Sequence, residues 1–237
     1  MVGADGAGGV DDRPYRALLV DYGGVLTTSM TASFAEFCLA TGVSPERLRL
    51  VLANAYRGGP GQAGDGVGLD DLVPAVETGR MPVEEFNQKL AAVLSEGLER
   101  RIDAVDLASR LFSAAGPDER MIEAVRAART QGLKTAMISN TWGIRDSSPW
   151  YDEVFDAVVL SGREGVRKPD PEIFRLTAGR VDVPPASCVF VDDLAANVEG
   201  ARAVGMTAVF HRHADITIPK LEELFGISLS SPRSGLL

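Results

Sequence analysis

Three carboxylates and one ammonium group are the residues of this chain whose types and placement can do chemistry together. Asp21 follows an apolar run in Val20-Asp21-Tyr22-Gly23-Gly24-Val25-Leu26-Thr27. Ser139 and Asn140 follow a second run, Lys168 stands in Arg167-Lys168-Pro169-Asp170-Pro171, and Asp192-Asp193 close a further run. Brought into one crevice, Asp21, Asp192 and Asp193 would repel one another and take up protons unless a cation joined them. A hard divalent ion such as Mg2+ meets that need, because it prefers carboxylate and carbonyl oxygens and retains waters. A phosphate oxygen can fill an open coordination position and Lys168 can neutralise a second oxygen. Ser139 and Asn140, with nearby backbone N–H groups, are candidates to hold a third. One oxygen of Asp21 is then free to attack phosphorus. The chemistry expected is phosphoryl transfer, run by positioning and charge stabilisation.

Each of these residues has a plainer reading when taken alone. A single Asp favours a turn or cap, and an Asp-Asp pair before a helix complements its dipole. Ser-Asn reads as a turn and Lys-Pro as a solvated loop. Their joint order, each after a strand-like run, is what points to a site.

Those runs are the elements that must position the residues. Apolar stretches at 17–20, 133–138, 157–160, 188–191 and 207–210 are continuous and do not alternate, which marks parallel strands covered on both faces. Helical spacing recurs between them, at 119–131, at 172–179 behind Pro171, and at 194–204, with Gly132 and Gly205 as stops. Strands alternating with helices imply an α/β fold with a parallel sheet. Ligands bind outside the carboxyl ends of such strands, where all the residues named above fall. The gaps from Ser139 to Lys168 and from Lys168 to Asp192 each suit one helix-plus-strand unit.

From Ser29 to about Gly116 the alternation stops. Segments 31–41, 45–56, 82–94 and 104–112 all read as helices, too long a block for one crossover. The expected layout is a disordered tail at 1–13, an α/β core at 14–28 and 115–237, and an inserted all-helical cap at 29–114. Gly59, Gly61 and Gly64 match G-x-G-x-x-G, but no strand precedes them and no helix starts at the third glycine, so a dinucleotide site is rejected. The stretch reads as a flexible loop or, more sharply, as a cap loop that moves over a ligand.

Composition bounds the partners. The 237 residues carry 24 Lys plus Arg against 33 Asp plus Glu, a net charge of -9. That excludes broad nucleic-acid binding and an anionic membrane surface, but not a small anion held through a metal. Cys38 and Cys188 make no disulfide framework and read as reduced thiols, Cys188 as a buried one. The first residues have no cationic start and no apolar core of a signal peptide. No stretch is long enough to span a bilayer. The expectation is a cytoplasmic protein with a small phosphorylated substrate. No pattern marks a particular oligomeric state.

These stretches resemble the four motifs of the haloacid dehalogenase superfamily, over about residues 16–225. Asp21 in VDYGGVLT is similar to the nucleophile of motif one, and Ser139 in ISNTWG to motif two. Lys168 in GVRKPDPEIF is similar to motif three, and Asp192 and Asp193 in FVDDLAANVEGARAVGM to motif four. The resemblance implies a Rossmann-like core with a helical cap of the first class, and Mg2+-dependent hydrolysis of a small phosphorylated metabolite through an aspartyl-phosphate. It also implies that Asp193 is a direct metal ligand, Asp192 an outer one, and the main-chain carbonyl of Gly23 another ligand.

One position departs from that pattern. Phosphatases of the family usually carry a second Asp two residues after the nucleophile, where it protonates the leaving group and activates water. Here that residue is Gly23. A general acid or base supplies about 10²–10⁴-fold. The departure leaves a slow enzyme, a substitute group, or a leaving group needing little help, such as an anomeric sugar phosphate or an acyl phosphate. It also admits two other classes. One is a dehalogenase-type hydrolase of carbon–halogen bonds, although the family's Tyr is displaced by one position, to Tyr22. The other is a catalytically weak member that binds a ligand or partner.

Other residues are weighed and set lower. Lys89 is the cap's one lysine and a Schiff-base candidate for phosphonate cleavage, but reads as an exposed solubilising residue. His211 and His213 form a possible metal pair without further ligands, and read as solvated loop residues. Trp142 and Trp150 flank the loop after motif two, where packing is the default. Arg57, Glu77 and Arg80 are candidates for setting specificity from the cap.

Overall fold

A computed structural model of the protein describes residues 13–57, 72–143 and 150–229. Residues 1–12 of the proposed tail, the glycine-rich loop with Gly59, Gly61 and Gly64, and the end of the chain lie outside the described residues. Strands β1 (Ala17–Val20), β2 (Lys134–Ser139), β3 (Ala157–Leu160), β4 (Cys188–Asp192) and β5 (Thr207–Phe210) form one sheet in the order β3-β2-β1-β4-β5. All four pairings are parallel. This is the Rossmann-like arrangement, with β1 at its centre.

The burial of β1 shows why the runs are unbroken. Its side chains alternate between two cores, and all are fully buried. Leu18 and Val20 join Met121, Val125, Leu221 and Phe225 on one face. Ala17 and Leu19 join Ile173, Phe174, Val198 and Ala201 on the other. The first layer is built by α6 (Glu119–Thr130) and α11 (Ala214–Phe225), the second by α9 (Pro171–Arg180) and α10 (Ala195–Ala203). A strand covered on both faces needs an apolar residue at every position.

Between β1 and α6 the described residues form helices α1 (Met30–Thr41), α2 (Pro45–Arg57), α3 (Leu72–Glu77), α4 (Val83–Ser95) and α5 (Leu107–Leu111). They bury a separate cluster around Phe37, Leu48, Val73, Phe86, Leu90 and Leu107. The two connections to this block run side by side. Thr28 N donates to Gly116 O at 2.7 Å, and Asp118 N to Leu26 O at 2.9 Å. Short helices α7 (Tyr151–Val154) and α8 (Ser161–Glu164) flank β3.

Some boundaries differ from the sequence reading. The α5 helix starts at Leu107 rather than Ala104, because Asp106 takes a left-handed backbone (φ 50) that a helix cannot contain. The α3 helix had no counterpart in the reading, and neither did α11, whose interior holds Pro219. Among the described residues no helix is long and apolar enough to cross a membrane.

Candidate active site

Three neighbouring strands, β2, β1 and β4, deliver the reactive residues to one end of the sheet. Ser139 and Asp192 are the last residues of β2 and β4, and Asp21 follows β1 directly. Asp21 N is fixed by Val191 O at 2.9 Å, so the nucleophile candidate cannot drift from β4. Lys168 comes from the loop between α8 and α9. That loop is ended by Asp170, whose carboxylate caps α9 by accepting from Glu172 N at 2.9 Å.

The Lys168 ammonium is the hub. Nζ donates to Asp21 Oδ1 at 2.5 Å and to Asp192 Oδ2 at 2.8 Å, and the side chain is 1% exposed. Burial alone would lower its pKa, but the two carboxylates outweigh burial and raise it, so it stays a cation. With two of its three N–H bonds taken, one is left for another anion.

Asp192 and Asp193 are neighbours with different surroundings. Asp192 is fully buried and saturated. Its Oδ1 accepts from Leu194 N at 2.8 Å and from Asn197 Nδ2 at 3.0 Å, while Oδ2 accepts from Lys168 and, at 3.0 Å, from Asn197. Asp193 is half-buried and lies against Gly24, whose left-handed backbone (φ 75) and missing side chain leave room for that carboxylate. Oxygens of Asp21, Asp192 and Asp193 all lie within 4.8 Å of one another.

That crowding has an electrostatic cost. Burial raises the Asp21 pKa to about 7; Lys168 opposes the shift, and Asp192 and Asp193 add to it. Burial and then Asp192 push Asp193 up to about 6, against Lys168. Two hard oxygen donors held close together and short of positive charge suit a divalent cation. The Gly23 carbonyl accepts no hydrogen bond among the described residues, so it remains available as a further oxygen donor. The donor set therefore fits Mg2+.

Ser139 and Asn140 differ in what they offer. The Ser139 hydroxyl makes no hydrogen bond among the described residues and stands at the sheet's end. The Asn140 carboxamide is engaged with neighbouring chain. Oδ1 accepts from Lys168 N at 2.9 Å, and Nδ2 donates to Lys168 O at 3.0 Å and to Glu77 Oε2 at 3.2 Å. Its place is behind the lysine, holding that peptide unit.

Residues 15–205 match the haloacid dehalogenase-like hydrolases. The chain belongs to that family. A phosphatase of Mycobacterium tuberculosis is 35% identical over 150 residues, covering 61% of this chain and 66% of that protein. A protein from Porphyromonas gingivalis described as a predicted HAD-like family hydrolase shares the fold with a TM-score of 0.60 and 20% identity, over 89% of this chain and 98% of that one. A HAD family enzyme of Bacteroides thetaiotaomicron, solved with magnesium and inorganic phosphate, aligns with a TM-score of 0.54 and 20% identity, over 84% of this chain and 94% of that one. The chain spans 20%, 66% and 39% of the length of three curated relatives that it matches.

Other residues of this HAD-like hydrolase find other places. Lys89 is exposed and pairs with Glu85 at 2.8 Å, one helical turn away. Trp142 is buried in the helical block between Phe86 and Phe112, and Trp150 packs on Tyr151 and Phe155. The expectation of a solvated His211 is corrected. It is buried, its N–H donates to Asp192 O at 2.8 Å, and its ring Nδ1 pairs with Thr217 of α11 at 2.9 Å. Burial lowers its pKa. Arg80 is exposed, its Nε donating to Thr78 at 2.9 Å, and the Arg57 side chain lies outside the described residues. Glu77 is buried, and the sequence held no signal for its partners Trp142, Arg167 and Asn140.

Proposed function

We propose that this HAD-like hydrolase is a Mg2+-dependent phosphatase of a small phosphorylated metabolite, acting through an aspartyl-phosphate on Asp21. The observation that carries the reading is the buried Lys168 ammonium between Asp21 and Asp192, with Asp193 beside them. The phosphatase from M. tuberculosis and the magnesium and phosphate in the B. thetaiotaomicron enzyme point the same way.

Asp21, Asp193 and the Gly23 carbonyl would hold the ion, with Asp192 outside them. Its charge would offset the crowded carboxylates and admit a phosphate oxygen. The Asp21 oxygen away from Lys168 attacks phosphorus. The bond from phosphorus to the leaving oxygen breaks, and that oxygen departs with the electron pair as an anion that takes its proton from solvent water afterwards. Water then attacks the phosphorus of the aspartyl-phosphate, which restores the Asp21 carboxylate and releases inorganic phosphate. The remaining Lys168 N–H and the Ser139 hydroxyl hold phosphoryl oxygens as charge builds.

No carboxylate stands at Gly23 to supply the proton. The reading therefore favours leaving groups that depart without one, such as anomeric sugar phosphates or acyl phosphates. Residues 29–114 are read as a cap that sets substrate choice. Buried free thiols at Cys38 and Cys188 suit a reducing compartment, here taken as the cytoplasm.

A chromogenic phosphate ester assayed with and without Mg2+ tests the reading, together with mass detection of a beryllofluoride or phosphate adduct on Asp21. Metal-independent halide release from a haloacid would overturn it in favour of a dehalogenase. Gly23 also favours a second reading, a member that binds a phosphorylated ligand and turns over little. That reading gains if wild type releases no phosphate while Gly23→Asp does.

A further inference from the structure

Helix α3 of the inserted block ends in a carboxylate that faces the core rather than solvent. Glu77 is 1% exposed and its oxygens are shared among three residues from two core loops. Oε1 accepts from Trp142 Nε1 at 2.8 Å. Oε2 accepts from Arg167 Nε and from Asn140 Nδ2 at 3.2 Å. The turn after α3 sits directly on α8, for a β-carbon at Gly79 would collide with Gly162 O. Burying a carboxylate is costly unless it is paired and hydrogen-bonded, and here it is both.

Asn140 continues the chain of contacts. The carboxamide that touches Glu77 also grips the Lys168 peptide at both its N–H and its carbonyl. Arg167, the other partner, is covalently next to Lys168. One carboxylate on the inserted block thus fixes both neighbours of the lysine whose ammonium bridges Asp21 and Asp192.

We infer that Glu77 is a positioning residue, which sets Lys168 against Asp21 and makes that setting depend on α3 being seated on the core. Its kinetic consequence rests on the phosphatase reading; its structural consequence does not. Misplacing a group by about 1 Å can cost about 100-fold in rate.

The test uses the full chain and two readouts. The first is amine acylation followed by peptide mass spectrometry, with the exposed Lys89, Lys134 and Lys220 as references. Alkylation of the buried Cys188 reports the integrity of the sheet. In Glu77→Gln, Lys168 labelling is expected to rise about tenfold or more, as for a local opening, with Cys188 still protected. Glu77→Asp keeps the charge opposite Arg167 and is expected to show an intermediate rise. Trp142→Phe, which removes the Oε1 contact but leaves the Oε2 contacts to Arg167 and Asn140, leaves Lys168 protected. The second readout is steady-state kinetics with Mg2+, where kcat of Glu77→Gln should fall about 100-fold with KM little changed. Lys168 staying protected in Glu77→Gln and Glu77→Asp overturns the inference, as does equal exposure in Trp142→Phe or exposure only together with Cys188. A wild type with no phosphatase activity but with Lys168 released in Glu77→Gln removes the phosphatase reading and keeps the positioning role. An active wild type indifferent to Glu77 does the reverse.

Discussion

A β-carbon at Gly23 would stand 3.6 Å from Met30 Cε and meet nothing else within contact range. That is ordinary van der Waals contact, and the Gly23 backbone is not left-handed. The missing carboxylate is therefore not imposed by the backbone, and a β-carbon fits. Gly23→Asp keeps the main-chain carbonyl and adds a proton donor two residues after Asp21. We expect kcat on a simple alkyl phosphate to rise about 100-fold, a typical general-acid contribution, with little gain on an acyl phosphate. Steady-state rates on both substrates in Mg2+ decide it; equal gains on both would remove the leaving-group argument.

Asp21 should make the metal-free fold less stable as pH rises. Its pKa is about 7 in the folded chain and 3.8 as an unperturbed group. Below 3.8 it is protonated in both states and costs nothing. As pH rises from there, the unfolded chain gives up the proton more readily, so stability falls until the folded pKa is passed. Asp21→Asn removes that penalty. In EDTA it should raise Tm at pH 8, by roughly 2–4 °C for each kcal/mol relieved, and have a smaller effect at pH 5. A Tm gain that is equal at both pH values would refute the electrostatic origin.

Much of this site was readable in the chain because Asp21, Ser139 and Asp192 end mostly apolar runs, whereas Lys168 comes from a loop. Asp21, Ser139 and Asp192 follow or close strands that are buried along most of their length, so the run marks the strand and the polar residue marks its end. Glu77 was only one of several cap candidates because its partners, Trp142, Arg167 and Asn140, are brought to it by tertiary packing alone. His211 was misread for a similar reason. Its neighbours Arg212 and His213 look like a loop, but α11 folds back over the ring through Thr217. The α11 helix itself was hidden by Pro219, which lacks the N–H an interior position needs.

Mg2+ should stabilise the protein through Asp193 in a pH-dependent way. Asp193 is pushed up to about 6 and Asp21 to about 7, so protons compete with the ion below those values. A ligand at 100 times its Kd adds about 2.7 kcal/mol. We expect a clear Mg2+-induced Tm rise at pH 8, a weak one at pH 5, and none at either pH in Asp193→Asn. Asp192→Asn should lose stability but keep part of the Mg2+ response, because Asp192 is already saturated by Lys168, Asn197 and Leu194. Loss of the response in Asp192→Asn with retention in Asp193→Asn would reverse the two assignments.

Lys168→Met should destabilise the fold where Asp21→Asn stabilises it, although both break the same 2.5 Å pair. The difference lies in what is left behind. Asp21→Asn leaves Lys168 paired with Asp192 at 2.8 Å. Lys168→Met leaves two buried carboxylates facing each other with no cation, a loss of about 3–5 kcal/mol for breaking one buried pair. The cost should shrink at pH 5, where Asp21, pushed up to about 7 even with Lys168 beside it and further without it, carries a proton. Added Mg2+ should recover part of the stability at pH 8, since an ion near Asp21 and Asp193 supplies positive charge to the same cluster. Phosphate release should still be abolished, because no N–H from residue 168 reaches the phosphoryl group. Urea unfolding at pH 5 and pH 8, with and without Mg2+, checks each part. Equal stability of Lys168→Met and wild type at pH 8 in EDTA would mean that the ammonium is not what holds this cluster together.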